Sequence, residues 1–196
     1  SLFKAVLSMD IASNSFNFID GMNGLSSGLS ISYLLVFYFI CLDIGAAELA
    51  ELSLILSFAV IGFWVINMFT GSLFLGDAGA FSLGIFIGWS GVYMSAFNYT
   101  VSPWLIFFII IYPATEFSFS FIRRLLNKKN PTIADDKHLH TLLYKLLLRK
   151  FNNYSPKLLN SVCGLVLIIY GSIPSFLVFF IKHNIILISY ALISYI

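Results

Sequence analysis

Residues 51–69 read ELSLILSFAVIGFWVINMF, and after Glu51 no charged residue occurs until Asp77. A run of this length and character suffices to cross the hydrocarbon core of a bilayer, which takes about 20 mostly apolar residues in helical form. Working outward, comparable blocks fall at 28–44, 79–97, 104–122 and 158–181, with a shorter one at 184–196. Their apolar residues run on without the short-period alternation of barrel strands, which disfavours a closed barrel. Of the 196 residues 59% are hydrophobic, 17% aromatic and only 10% charged, with a mean hydropathy of +0.93, whereas a soluble domain carries roughly a quarter charged residues. The sequence therefore predicts an all-α, polytopic transmembrane helical bundle of about six spans. Residues 1–196 form one integral membrane domain, and nucleic acid is not an expected partner.

Charge placement orients the bundle. Nine of the eleven Lys and Arg residues lie from Arg123 to Lys157, so the positive-inside rule makes segment 123–157 a basic cytoplasmic loop. Counting spans backward from it puts Asp77 and Asp20 on the same side. Asp43, Glu48 and Glu51 share a loop on the opposite side, which holds no basic residue. Cys41 and Cys163 sit in apolar blocks without metal-ligand spacing and read as packing residues. The opening SLFKAVLSMDIASN breaks a short apolar patch with Lys4 and Asp10 and lacks a signal-peptide pattern. It reads as the tail of a span, and the chain is expected to be a C-terminal fragment.

Three polar clusters stand out against this background. In the first, Asn14, Asn17, Asp20 and Asn23 recur every three residues among glycines. A helical turn would bring them toward one face, as oxygen ligands for a hard cation or hydrogen-bonding groups for a phosphate; the plainer reading is a turn whose Asx side chains bond their own backbone. The second is Asp77 within Gly76-Asp77-Ala78-Gly79. Such a carboxylate can simply favour a helix N-terminus, with Gly76 and Gly79 serving helix packing, but ionisable residues at membrane depth default to functional hypotheses. Asn67 is placed to face the same rim. The third cluster is the basic loop, where His138 and His140 join Arg123 and Arg124. Basic side chains recognise phosphates through charge-assisted hydrogen bonds, and imidazoles add donors or a proton shuttle. The same loop also fits anionic headgroups, with an interfacial helix near Leu142 to Leu148. Neither HExxH nor paired cysteines occur, so no zinc motif is present.

Taken in order, Asn14 to Gly28 with FNFIDGMNGL, Asn67 to Gly84 with GDAGAFSLG, and Pro113 to Leu143 with IRR, Pro131 and DKHLHTLL resemble the polyprenyl-phosphate N-acetylhexosamine-1-phosphate transferase family, and its N-acetylglucosamine-type branch most. The resemblance implies a Mg²⁺-dependent enzyme, with Mn²⁺ as the alternative metal. It would transfer sugar 1-phosphate from a UDP-sugar to a polyprenyl phosphate in a bacterial plasma membrane, releasing UMP on the cytoplasmic face for wall or polysaccharide synthesis. By the same resemblance Asp77 is the metal-binding aspartate and Asp20 its catalytic neighbour. Asn17, Asn23, Asn67, Arg123, Arg124, His138 and His140 become substrate-binding residues, and pairing of two copies is expected.

The departures are specific. The family carries an adjacent aspartate pair in an earlier loop; here the adjacent pair is Asp135-Asp136, in a different loop. Asn23 stands where many members have aspartate, Thr141 where a third histidine is usual, and Glu116 at about the place of a family aspartate. The chain is accordingly expected to be the C-terminal half of such an enzyme. Two rivals are a transporter or ion-conducting subunit using Asp20, Asp77 and Glu116 as a path, and a catalytically incomplete lipid-binding relative.

Overall fold

The computed structural model describes residues 2–126 and 138–181; within them the chain forms eight helices and no strand. They are α1 (Leu2–Ile19), α2 (Leu25–Ile44), α3 (Ala47–Thr70), α4 (Gly76–Phe97), α5 (Pro103–Ile109), α6 (Ile111–Leu126), α7 (Leu139–Lys150) and α8 (Pro156–Ile181). Four of these, α2, α3, α4 and α8, are long and apolar enough to cross a membrane, and α5 with α6 make a fifth if counted as one bent span. The block at 184–196 and the loop residues 127–137, among them Pro131, Asp135, Asp136 and Lys137, lie outside the described residues.

Helix α2 is the centre of the bundle. Leu29, Tyr33, Phe37 and Ile40 are buried along it, and it packs against α3, α4 and α8. Helix α3 instead leaves Ile55, Phe58, Val65, Ile66 and Phe69 exposed, a face suited to lipid. The turn joining the two is tight: Gly45 is left-handed (φ 78°), and the Ala46 N–H bonds back to the Cys41 carbonyl at 2.8 Å, the six-to-one closure of a Schellman cap.

The predicted single span 104–122 is broken. Helices α5 and α6 meet at 81°, and Pro113 supplies the reason. It brings no N–H, and its ring would collide with the carbonyl four residues back, that of Ile109, where α5 stops. Helix α6 consequently turns aside, and its residues Glu116 and Arg124 reach the end of the bundle where α7 begins.

Helix α1 lies along α4 and α6. A Cβ at Gly84 would stand 2.5 Å from Ser13 Cα and 2.8 Å from the Ala12 carbonyl oxygen, so only glycine lets these two backbones approach so closely. The small-residue packing read into Gly76 and Gly79 is thus displaced two turns along α4. Gly76 has nothing within 4 Å of its Cβ position, and the atoms nearest that of Gly79 belong to Leu75 of its own turn.

Candidate active site

The chain leaves α1 at Ile19 and enters α2 through a short turn closed by the Asp20 N–H to the Asn17 carbonyl, 3.3 Å, and by Gly24 in the left-handed region (φ 74°). This exit corrects the expectation that Asn14, Asn17, Asp20 and Asn23 share one helical face. Asn14 and Asn17 stay on α1, where the Asn14 side chain bonds the Asp10 carbonyl at 2.8 Å. The turn then sends Asp20 toward α4 and Asn23 toward α8. Glycine is the residue that adopts this backbone without steric penalty, and the pattern of one polar residue in three does not survive it.

Asp20 is held by the α4 side. Its Oδ2 accepts from the Gly76 N–H at 3.1 Å, beside Asp77 in the first turn of α4. Burial pushes the Asp20 carboxyl up from 3.8 to about 6; the Gly76 hydrogen bond opposes the shift, and the charge of Asp77 adds to it. Asp77 itself is exposed. Two carboxylates close enough to feel one another at a half-open rim form a hard, all-oxygen donor set. Among the described residues no cluster of three or more His, Cys, Asp or Glu has metal-holding geometry. Mg²⁺, which takes one or two carboxylates and completes its shell from water and substrate phosphates, fits these two residues; a closed protein cage does not.

Asn67 and Asn23 form the underside of the turn. The Asn67 carboxamide oxygen accepts from the Gly24 N–H and its NH₂ donates to the Leu73 carbonyl, so this buried side chain ties the Asp20 turn to the loop leading into α4. The Asn23 N–H donates to Asn160 Oδ1 at 2.7 Å and its Nδ2 to Ser161 Oγ at 3.0 Å, both on α8. Each amide atom of Asn67 already has a partner inside the protein, which makes joining the loops its evident task.

The histidines come from the start of α7. His138 and His140 are buried and stack with ring centroids 5.1 Å apart and planes within 2°. His140 Nε2 lies 3.5 Å from where a Cβ on Gly21 would be, so the ring reaches the residue next to Asp20. Phe18, inside the first motif, meets the His138 ring edge-on at 5.5 Å, while the Arg124 guanidinium sits over the Phe18 ring at 5.5 Å. Arg123 is half-buried beside it at the C-terminal end of α6. The three sequence clusters therefore converge at one end of the bundle.

Two residues in the site had little signal in the sequence. Phe18 looked like any aromatic in an apolar chain. Glu116 stands in the sequence at about the place of a family aspartate, which says nothing of its contacts, yet its carboxylate receives the Leu139 N–H at 3.1 Å and the His140 N–H at 3.4 Å. It also accepts from the Tyr112 hydroxyl at 3.1 Å. A buried acid whose partners, Tyr112 apart, begin 23 residues later cannot be assigned those contacts from local pattern.

The fold and this site define a polytopic helical membrane protein with an acid and imidazole site at one end. Residues 1–95 match the family model of glycosyl transferase family 4. Over those residues the chain is similar to that family. Among curated relatives it is 36% identical over 127 residues, 65% of this chain, to an undecaprenyl-phosphate alpha-N-acetylglucosaminyl 1-phosphate transferase of Thermotoga maritima. It is 31% identical over 88 residues, 45% of this chain, to a phospho-N-acetylmuramoyl-pentapeptide-transferase of Moorella thermoacetica. A decaprenyl-phosphate N-acetylglucosaminephosphotransferase of Mycolicibacterium smegmatis is 28% identical over 156 residues, 68% of this chain. The matched stretches span 38%, 28% and 38% of those relatives' own lengths.

Proposed function

We propose that this chain carries the sugar-nucleotide side of an enzyme that transfers N-acetylglucosamine 1-phosphate from UDP-N-acetylglucosamine to a polyprenyl phosphate on the cytoplasmic face of the membrane. The observation that carries the reading is the meeting of the Asp20 turn, the Asp77 helix start and the His138–His140 pair at one end of an apolar bundle, in a chain similar to this family. In the reaction, a phosphate oxygen of the lipid attacks the phosphorus bonded to the sugar oxygen. A new P–O–P bond forms, the bond from that phosphorus to the bridging oxygen breaks, and UMP leaves with the bridging oxygen.

Attacking and attacked groups are both anionic, so the site must lower their repulsion and hold them in line. Asp20 and Asp77 would hold Mg²⁺, whose chemistry here is to neutralise diphosphate charge and orient it. Gly76 aims the Asp20 carboxylate by donating to one of its oxygens. His140 presents its Nε2 edge toward the same turn, where it can donate to a phosphate oxygen when protonated. Arg124, steadied on Phe18, adds a fixed positive charge, and Arg123 extends it. Asn17 closes the turn through its carbonyl, while Asn23 and Asn67 keep it seated on α8 and the α4 loop.

An ion path through the bilayer would need its acidic groups spaced through the depth. Glu116, the third acid of such a path, contacts the start of α7 and so belongs to the same end as Asp20 and Asp77. The test is Mg²⁺-dependent release of UMP from UDP-N-acetylglucosamine by the full-length protein in membranes containing polyprenyl phosphate, with Asp77→Asn beside it. Release insensitive to that substitution would remove the metal assignment; no release from any UDP-sugar would remove the reaction.

A further inference from the structure

Glu116 has more partners than a helix cap requires. Its Oε2 accepts from the Leu139 N–H, and its Oε1 from the His140 N–H and the Tyr112 hydroxyl. That much would be explained by an anion placed from outside on the open N-terminus of α7, where unpaired N–H groups and the helix dipole favour negative charge. The same carboxylate also faces both imidazoles through the same ring nitrogen, His138 Nδ1 at 3.8 Å and His140 Nδ1 at 3.5 Å. A cap accounts for neither of these, nor for the parallel stacking of the two rings.

We propose that Glu116 is a positioning residue that locks His138 and His140 in the Nδ1–H tautomer and turns the Nε2 edge of His140 toward the Asp20–Gly21 turn. A neutral imidazole carries one N–H, and a free ring favours it on Nε2. A carboxylate accepting from Nδ1 reverses that preference and leaves Nε2 as the working atom. Each Glu116 oxygen faces one ring nitrogen, Oε2 that of His138 and Oε1 that of His140, at ion-pair rather than hydrogen-bond distance, and Tyr112 at Oε1 fixes which way the carboxylate plane lies. For turnover, the inference rests on the transferase reading; for the tautomers, it does not.

The experiment is histidine-¹⁵N NMR of the full-length protein in lipid nanodiscs, at alkaline pH where the rings are neutral, paired with kinetics on the same preparations. Signals are assigned by His138→Gln and His140→Gln. The expected result is Nδ1–H at both positions. In Glu116→Gln the amide offers one acceptor and one NH₂ group, so at least one ring moves to Nε2–H, and kcat falls by about 10–100-fold, the usual cost of losing a carboxylate behind a functional histidine, while KM for the UDP-sugar holds. Glu116→Asp should recover part of both. Wild-type rings found as Nε2–H, or tautomers unchanged in both Glu116→Gln and Glu116→Ala, would overturn the proposal. If the tautomers shift as expected but the wild type turns over no UDP-sugar, the positioning stands and the transferase reading fails.

Discussion

The two sides of the site are built on opposite plans. On the carboxylate side Asp20 is half-buried with one backbone hydrogen bond, and its neighbour Asp77 is exposed. Their charges oppose each other, and the fold leaves that opposition standing. On the histidine side Glu116, His138 and His140 are buried, and one carboxylate accepts from two backbone amides and a tyrosine and faces two imidazoles. The first side holds two like charges together at an open rim, whereas the second is buried and gathers its partners around one carboxylate. For the proposed transfer, which would bring together two anionic substrates, both would serve: a place where positive charge is recruited and a wall of fixed geometry.

The contrast is sharpest at Asp77. Asp77→Asn should lower Mg²⁺-dependent UMP release by about 10²–10³-fold, the range seen when one group stabilising transition-state charge is lost, with no loss of thermal stability. A variant retaining more than a tenth of the activity would mean that the metal lies elsewhere. Gly164→Ala attacks the seam between the two sides. A Cβ there collides with the Asn23 carbonyl oxygen, one residue from Cys163, whose thiol contacts the His140 carbonyl at 3.5 Å. Overpacking of this kind costs about 1–3 kcal/mol, readable as a lower thermal midpoint in detergent, and an unchanged midpoint would show that α8 can give way.

Phe18→Leu tests the wall. It removes a cation–π contact and an edge contact to His138, interactions of about 0.5–1.5 kcal/mol each. Turnover and midpoint should fall together; a lower midpoint at full turnover would reduce Phe18 to packing. The smallest effect is a slope. Asp20 titrates near 6 in the fold against 3.8 ordinarily, so between those values the folded chain holds the extra proton. Stability should therefore rise as pH falls through that window and be lost as pH climbs past about 6. Asp20→Asn, which keeps an acceptor for the Gly76 N–H, should flatten the slope while abolishing metal-dependent turnover, and an unaltered slope would mean the carboxyl is not strained.

Much of this was legible along the chain. The helical bundle followed from the uncharged length between Glu51 and Asp77, and the shared end of the three clusters followed from counting spans. Pro113 was visible, but whether it kinks a span or breaks it depends on what packs beside it, and here α6 had α1 to turn toward. The one-face reading of Asn14 to Asn23 failed for a local reason with a distant cause: Gly24 permits the turn, and Asn160 and Asn67 select it.

By itself the sequence determined that this is an apolar helical bundle with acids, amides and imidazoles gathered at one end, because hydrophobic length and charge placement are properties of the chain read in order. The tertiary structure alone decided which of those polar groups face each other. Glu116 meets His138 and His140 only because α6 breaks away from α5 and α1 and α8 bracket the start of α7, and contacts between residues far apart in sequence are set by the packing of whole helices.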